Sequence, residues 1–182
     1  MSDKPHKDVW PWGSETILWG FKPDHQYTFK ILEPKQGRAG CLSLQYHLKK
    51  SESWFVLQGV VWALVVVDKL ACTRVMRAGD IQNLPTGTIH RLMGISGDAR
   101  VIEPSTPDLH AADKSAPKDV VRLHCVLGRE VSPARTTQEG ELVKECAQIT
   151  EDAISAIEAG EQPEELNVSR LIGLTGFSLS DF

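Results

Sequence analysis

From about Tyr27 to Leu127 apolar and polar residues alternate in short runs separated by turn residues, which predicts an antiparallel sandwich or barrel. Tyr27-Thr28-Phe29-Lys30-Ile31-Leu32 reads as a half-buried strand, and Gly37 and Gly40 punctuate the turn before Cys41 to His47. In that second run Leu42, Leu44 and Tyr46 project from one face and Ser43, Gln45 and His47 from the other, so a polar row is expected inside the barrel. Trp54 to Leu57 and Val60 to Val67 are β-branched and aromatic, and Asp68-Lys69 predicts a hairpin into Ala71 to Met76. Beyond Gly79-Asp80, the turn Pro85-Thr86-Gly87 leads into Ile89 to Met93, followed by Ala99 to Glu103 and, after a polar loop, Val120 to Leu127.

The period changes after Arg129. Thr136 to Glu139 has the form of a capping box, and Leu142, Cys146, Ile149, Ala153 and Ile157 recur at helical spacing, predicting one amphipathic helix over about 138–160. Asn167 to Phe182 is apolar but too short to fold alone, so it is expected to pack on the barrel or on a second subunit. The chain thus divides into an all-β domain, 8–130, and a helical extension, 131–182. The apolar run Val60 to Val67, a sheet edge and the amphipathic helix all need cover, which points to a homodimer.

Composition narrows the function classes. With 41% hydrophobic and 24% charged residues in 182, this is an ordinary globular chain. Its net charge of −4, from 20 basic and 24 acidic side chains, gives no pull toward nucleic acid or anionic membrane, while leaving room for a local phosphate pocket. Four dispersed cysteines without a Cys-x-x-Cys pair read as buried thiols rather than a zinc ribbon or a disulfide scaffold. Met1 to Lys7 is polar, and the longest apolar run is far short of the roughly 20 residues a membrane helix needs, so a cytoplasmic location is expected.

The chemistry lies in a spacing. Gly40 is followed after four residues by Gln45-x-His47, then four residues, Glu52, six residues and Gly59; later come Gly79, five residues, Pro85-x-Gly87, two residues and His90. These segments resemble the two signature motifs of the cupin superfamily, G(X)5HXH(X)3–4E(X)6G and G(X)5PXG(X)2H. Gln45 stands in place of the first histidine, one residue early, and Gly94 in place of a frequent asparagine. Positions 45 and 47 share one strand face, so an amide oxygen and an imidazole can meet at one ion. Glu52 arrives across the next turn and His90 from the strand after the Pro85-Thr86-Gly87 turn. Gln45, His47, Glu52 and His90 form a mixed nitrogen and oxygen site for one divalent ion, zinc first, with iron, manganese, nickel or cobalt also suited.

A closer resemblance sharpens the substrate. Leu42-Ser43-Leu44-Gln45-Tyr46-His47 with Glu52-Ser53-Trp54 is similar to the L-S-L-Q-M-H…E-H-W block of mannose-6-phosphate isomerase cupin domains. Trp10-Pro11-Trp12-Gly13, Pro85 to Leu92, Asp119-Val120-Val121-Arg122 and Gly128-Arg129 are similar to further blocks of that family. The family's three histidines and arginine are here His47-Leu48-Lys49-Lys50, and Ser53 replaces the histidine beside Glu52. The resemblance implies a double-stranded β-helix and a metal-dependent aldose–ketose isomerase acting on a sugar phosphate. Lys30 and Arg91 are the expected interior cations, catalytic and substrate-binding, and Trp12 the expected substrate wall. Glu103 and His124 are further acid–base candidates, and His110 is assigned no role. A non-catalytic sugar-binding or regulatory cupin and an iron-dependent dioxygenase are the alternatives.

Overall fold

The computed structural model describes residues 4–178 apart from 21, 23, 109, 111, 112, 114, 174 and 175. Its strands are β1 His6–Trp10, β2 Gly13–Trp19, β3 Thr28–Pro34, β4 Leu44–His47, β5 Glu52–Gln58, β6 Val60–Val67, β7 Leu70–Arg77, β8 Asp80–Leu84, β9 His90–Gly94, β10 Arg100–Ser105, β11 Val120–His124 and β12 Gly176–Ser178. They form two sheets, β1-β2-β3-β10-β5-β8-β12 and β11-β4-β9-β6-β7, with antiparallel pairing throughout these strands. Helix α1, Thr137–Glu158, and the short helix α2, Val168–Gly173, follow the barrel.

Two apolar layers explain the continuous hydrophobic run of β6. Between the sheets lie Trp12, Leu32, Trp54, Val56, Leu92 and Val101, which form the barrel interior with Val61, Ala63 and Val65. On the outer face of the five-stranded sheet, Trp62, Leu64, Met93 and Leu123 pack against Cys146, Ala153, Ile154 and Ile157 of α1. A strand buried on both faces loses the alternation of a half-exposed one. The β6–β7 connection is the two-residue turn expected, with Asp68 and Lys69 at φ 49° and 65° and Val67 opposite Leu70, the left-handed pair that matches strand twist.

The capping box forms as predicted. Thr136 caps α1 by accepting from the Glu139 amide at 3.1 Å, and Glu139 in turn accepts from the Arg135 amide. Beyond the helix, residues 164–167 run along the outer edge of β7. Thr73 N donates to Leu166 O at 2.8 Å, Leu166 N lies 3.2 Å from Thr73 O, and Asn167 Nδ2 donates to Ala71 O at 3.0 Å. Leu171 of α2 is buried in the barrel interior, and β12 adds to the edge of β8. Within the chain α1 thus covers the outer face of β6 and residues 164–167 cover the edge of β7, while most of the apolar tail lies outside the residues whose side chains are described.

All four cysteines are free. Burial pushes the thiols of Cys41 and Cys146 up to about 11 and about 12, which keeps them inert.

Candidate metal centre and substrate cleft

Strand alternation and two turns bring the central side chains together. On β4, His47 points into the barrel and Tyr46 away from it; on β9, which pairs with β4 through Gln45 and His90, the ring of His90 points inward too. Glu52 opens β5 on the facing sheet. One ligand atom from each of His47, Glu52 and His90 lies within 4.8 Å of the other two, and all three residues are buried. His90 Nε2 stands 3.0 Å from Glu52 Oε1, and His47 Nε2 3.6 Å from Glu52 Oε2.

A hydrogen bond behind one of these rings fixes its role. His90 Nδ1 lies 2.8 Å from the Thr88 carbonyl, so the neutral ring carries its proton there and aims the Nε2 lone pair at a carboxylate oxygen. His47 Nδ1 faces Asp119 Oδ2 at 3.4 Å, and the same carboxylate accepts from the Lys50 amide at 2.9 Å. Both histidine Nε2 atoms and Glu52 Oε2 are buried without a hydrogen-bond partner. Lone pairs that face each other in a buried site repel unless a cation lies between them, and two imidazoles with one carboxylate are the donors a borderline divalent ion takes. The residues fit a metal.

Lys50, which the spacing argument passed over, is the buried cation of this site. Its Nζ is 2.5 Å from Glu52 Oε2 and 3.3 Å from Glu103 Oε1. Burial opposes its charge, but Glu103 and Glu52 outweigh burial and hold it protonated. Burial alone would raise Glu52; the Lys50 ammonium holds it well below the usual carboxylate range. Glu103 moves the other way, raised by burial and by Glu52 against the pull of Lys50 and Lys30. Burial, with Lys50, lowers His47 to about 4. Lys50 lies in the connection between β4 and β5, where no strand period reports direction.

A cleft of about 370 Å³ opens above this cluster, lined by Gln45, His47, Lys50 and Glu103 at its inner end, with Trp12 and Lys30 beside them. Lys30 is 5% exposed, with Nζ 3.2 Å from Asp108 Oδ2 and 3.4 Å from Glu15 Oε2. Burial works against its charge, yet Glu15, Glu103 and Asp108 raise its pKa. Trp12 lies at the cleft with its side chain also in the barrel core. Gln45 lies cross-strand from His90 and accepts from Ser43 Oγ at 2.6 Å. His110, left without a role above, lines the cleft and bonds the Ala116 carbonyl.

Arg91 does not join the site. As the immediate neighbour of His90 on β9 it points to the opposite face, where Nη1 donates to Thr150 Oγ1 of α1 at 2.6 Å and Nη2 to His124 O at 3.0 Å. It is wholly buried, and burial lowers its pKa. His124, its partner through Nδ1 at 2.9 Å, leaves the cleft with it because β11 shifts register between Arg122 and His124. The expected catalytic and substrate-binding role of Arg91 is corrected to that of a tether between sheet and helix.

With the geometry established, a family model described as mannose-6-phosphate isomerase C-terminal matches residues 2–104. The chain belongs to this family. The match takes in the three converging residues, Lys50 and Glu103 and ends before β11. A search of curated proteins returns no match. Among solved structures, a mutant of Bacillus subtilis oxalate decarboxylase OxdC superposes with a TM-score of 0.53 at 15% identity, over 87% of this chain and 38% of that one. The capsular polysaccharide assembling protein CapF from Staphylococcus aureus gives 0.52 at 17% identity, over 68% of this chain and 32% of that one. These likenesses show the cupin fold, and the chain spans about a third of the length of both proteins.

Proposed function

We propose that this member of the mannose-6-phosphate isomerase C-terminal family is a metal-dependent sugar-phosphate isomerase that interconverts an aldose phosphate and a ketose phosphate. The observation that carries the reading is the convergence of His47, Glu52 and His90, with orphaned buried donor atoms, where His47 lines a cleft that also presents Lys30, Lys50 and Glu103. His47, Glu52 and His90, with Gln45 beside them, would hold the ion, zinc by this donor set, which supplies Lewis-acid stabilisation of the negative charge that develops on neighbouring sugar oxygens.

The remaining work falls to the chain's own residues. Isomerisation moves a proton between adjacent carbons, so a base must face the substrate. Glu103, buried at the cleft wall with a raised pKa, is the carboxylate suited to take and return that proton. Lys30 and Lys50 place ammonium groups where an enediolate oxygen would carry charge. Trp12 offers a ring to a sugar face and excludes water from the cleft. A cytoplasmic setting accords with four free cysteines.

The test is elemental analysis of the purified protein followed by a coupled assay with mannose 6-phosphate, with and without chelator. Turnover that chelation abolishes and zinc restores is expected. A protein loaded with metal that converts neither mannose 6-phosphate nor another aldose phosphate would refute the isomerase. Iron as the bound metal, with oxygen uptake in place of isomerisation, would put a dioxygenase there.

A further inference from the structure

The cations of the cleft fall into two groups. Lys30 is neutralised by Glu15 and Asp108, and Lys50 by Glu52 and Glu103. A further carboxylate of the cleft, Asp119, is engaged by His47 and the Lys50 amide. On the opposite wall, Arg122, Arg129 and Lys118 also line the cleft, and among the described residues none of them pairs with a carboxylate. The Arg122 side chain makes no hydrogen bond among those residues, and its Nε is buried. Arg129 Nη2 donates to Ser43 Oγ at 3.3 Å and its Nε to Cys125 Sγ at 3.4 Å, which fixes the guanidinium against the β4 side of the cleft. The two arginines are close enough that Arg129, after burial, is the main cause lowering the Arg122 pKa. Two like charges held side by side, one with an unsatisfied buried donor, lack the anion that would stabilise both.

We infer that Arg122 and Arg129 form an oxyanion subsite that grips the phosphate of the substrate, an inference that rests on the isomerase reading for the identity of the anion. Position across the sheet sets the length of the substrate. Arg122 lies cross-strand from Gln45, which lies cross-strand from His90, and Arg129 reaches Ser43, two residues before Gln45. At about 4.8 Å between neighbouring strands, Arg122 stands two spacings, roughly 10 Å, from His90 across the sheet. That separation suits an open sugar chain with its phosphate on the carbon farthest from the carbonyl. It does not suit a phosphate next to the reacting carbons. Arginine forks match phosphate oxygens in pairs, and Lys118 at the mouth adds to the pull.

Equilibrium binding separates this subsite from the chemistry. Titration calorimetry with inorganic phosphate and with a hexitol 6-phosphate, which has no carbonyl to isomerise, is done on the wild type, R122Q, R129Q, R122K and the exposed-helix control K144Q, each checked for a native circular dichroism spectrum. The hexitol phosphate is expected to bind the wild type and K144Q alike, at least tenfold more weakly to R122Q and to R129Q, and with partial recovery in R122K. The unphosphorylated hexitol should ignore both arginine changes. Equal affinity across the set, or no phosphate binding by the wild type, overturns the subsite. Arginine-dependent binding without turnover would retain the subsite and discard the isomerase; turnover with KM unmoved in R122Q and R129Q would do the reverse. If R122Q fails to fold, R129Q, on the loop after β11, carries the test alone.

Discussion

Acidifying the metal-free protein should destabilise it chiefly through His47, with a smaller contribution from His124. His47 is held down to about 4 by burial and the nearby Lys50 ammonium, against 6.5 for a free imidazole. Between those two values the unfolded chain binds a proton that the folded chain refuses, so stability is complete above pH 6.5 and falls as the pH drops toward 4. At about 1.4 kcal/mol per pKa unit the loss approaches 3 kcal/mol, a large share of a typical domain's stability. Glu52, with a lowered pKa, acts in the same direction but below about pH 4.5, where its unfolded form takes up protons, so the two windows separate. Urea unfolding in chelator at pH 7.0, 6.0, 5.0 and 4.5 reads the effect, with H47N as the reference that cannot titrate at position 47. The wild-type free energy should fall more steeply over this series than that of H47N, in which His124, also lowered by burial, still titrates. Parallel slopes for the two proteins would show that the ring is not held neutral, and the description of the centre would be wrong.

Other consequences are as direct. At neutral pH, zinc at a hundredfold excess over its dissociation constant should raise the unfolding free energy by about 2.7 kcal/mol, and H90A should abolish that gain in thermal melts made with and without chelator. Gly40→Ala would place a Cβ 1.6 Å from the Lys35 carbonyl oxygen and should cost about 3 kcal/mol or more in denaturant unfolding, whereas Gly97→Ala, which meets nothing within 4 Å, should be nearly neutral. R91A strands the His124 carbonyl and the His124 ring nitrogen under α1 and removes the bond Thr150 Oγ1 accepts, so a loss of about 3 kcal/mol is expected with zinc content and hexitol phosphate affinity unchanged; a selective loss of ligand binding would return Arg91 to the cleft.

The parts of this fold that were legible in the sequence are those where one face is apolar and the period is clear. Alternation over Ser43 to His47 correctly gave the inward row, and the Asp68-Lys69 turn and the Thr136 cap follow from local chemistry alone. Alternation counted from His90 on β9 sends Arg91 outward, since adjacent strand residues face opposite sides. Strands β1, β2 and β8 escaped notice for a different reason. His6–Trp10 is almost wholly exposed, and Asp80–Leu84 buries Gln82, so neither shows an apolar face. Asp108 and Asp119 reach the cleft from a loop, where no periodicity reports direction. The run of 164–167 along β7 uses mainly backbone groups, which every residue carries, so composition is silent about it.

That run along β7 bears on how the chain can be shortened. A protein ending near residue 130 would strip the cover from Thr73 and Ala71 and from the outer apolar layer around Trp62, leaving a ladder of unpaired amides beside a greasy plate. Such a fragment should stick to copies of itself as it leaves the ribosome, so the motif-bearing barrel is not a separable module and its extension serves as a built-in guard against misassembly.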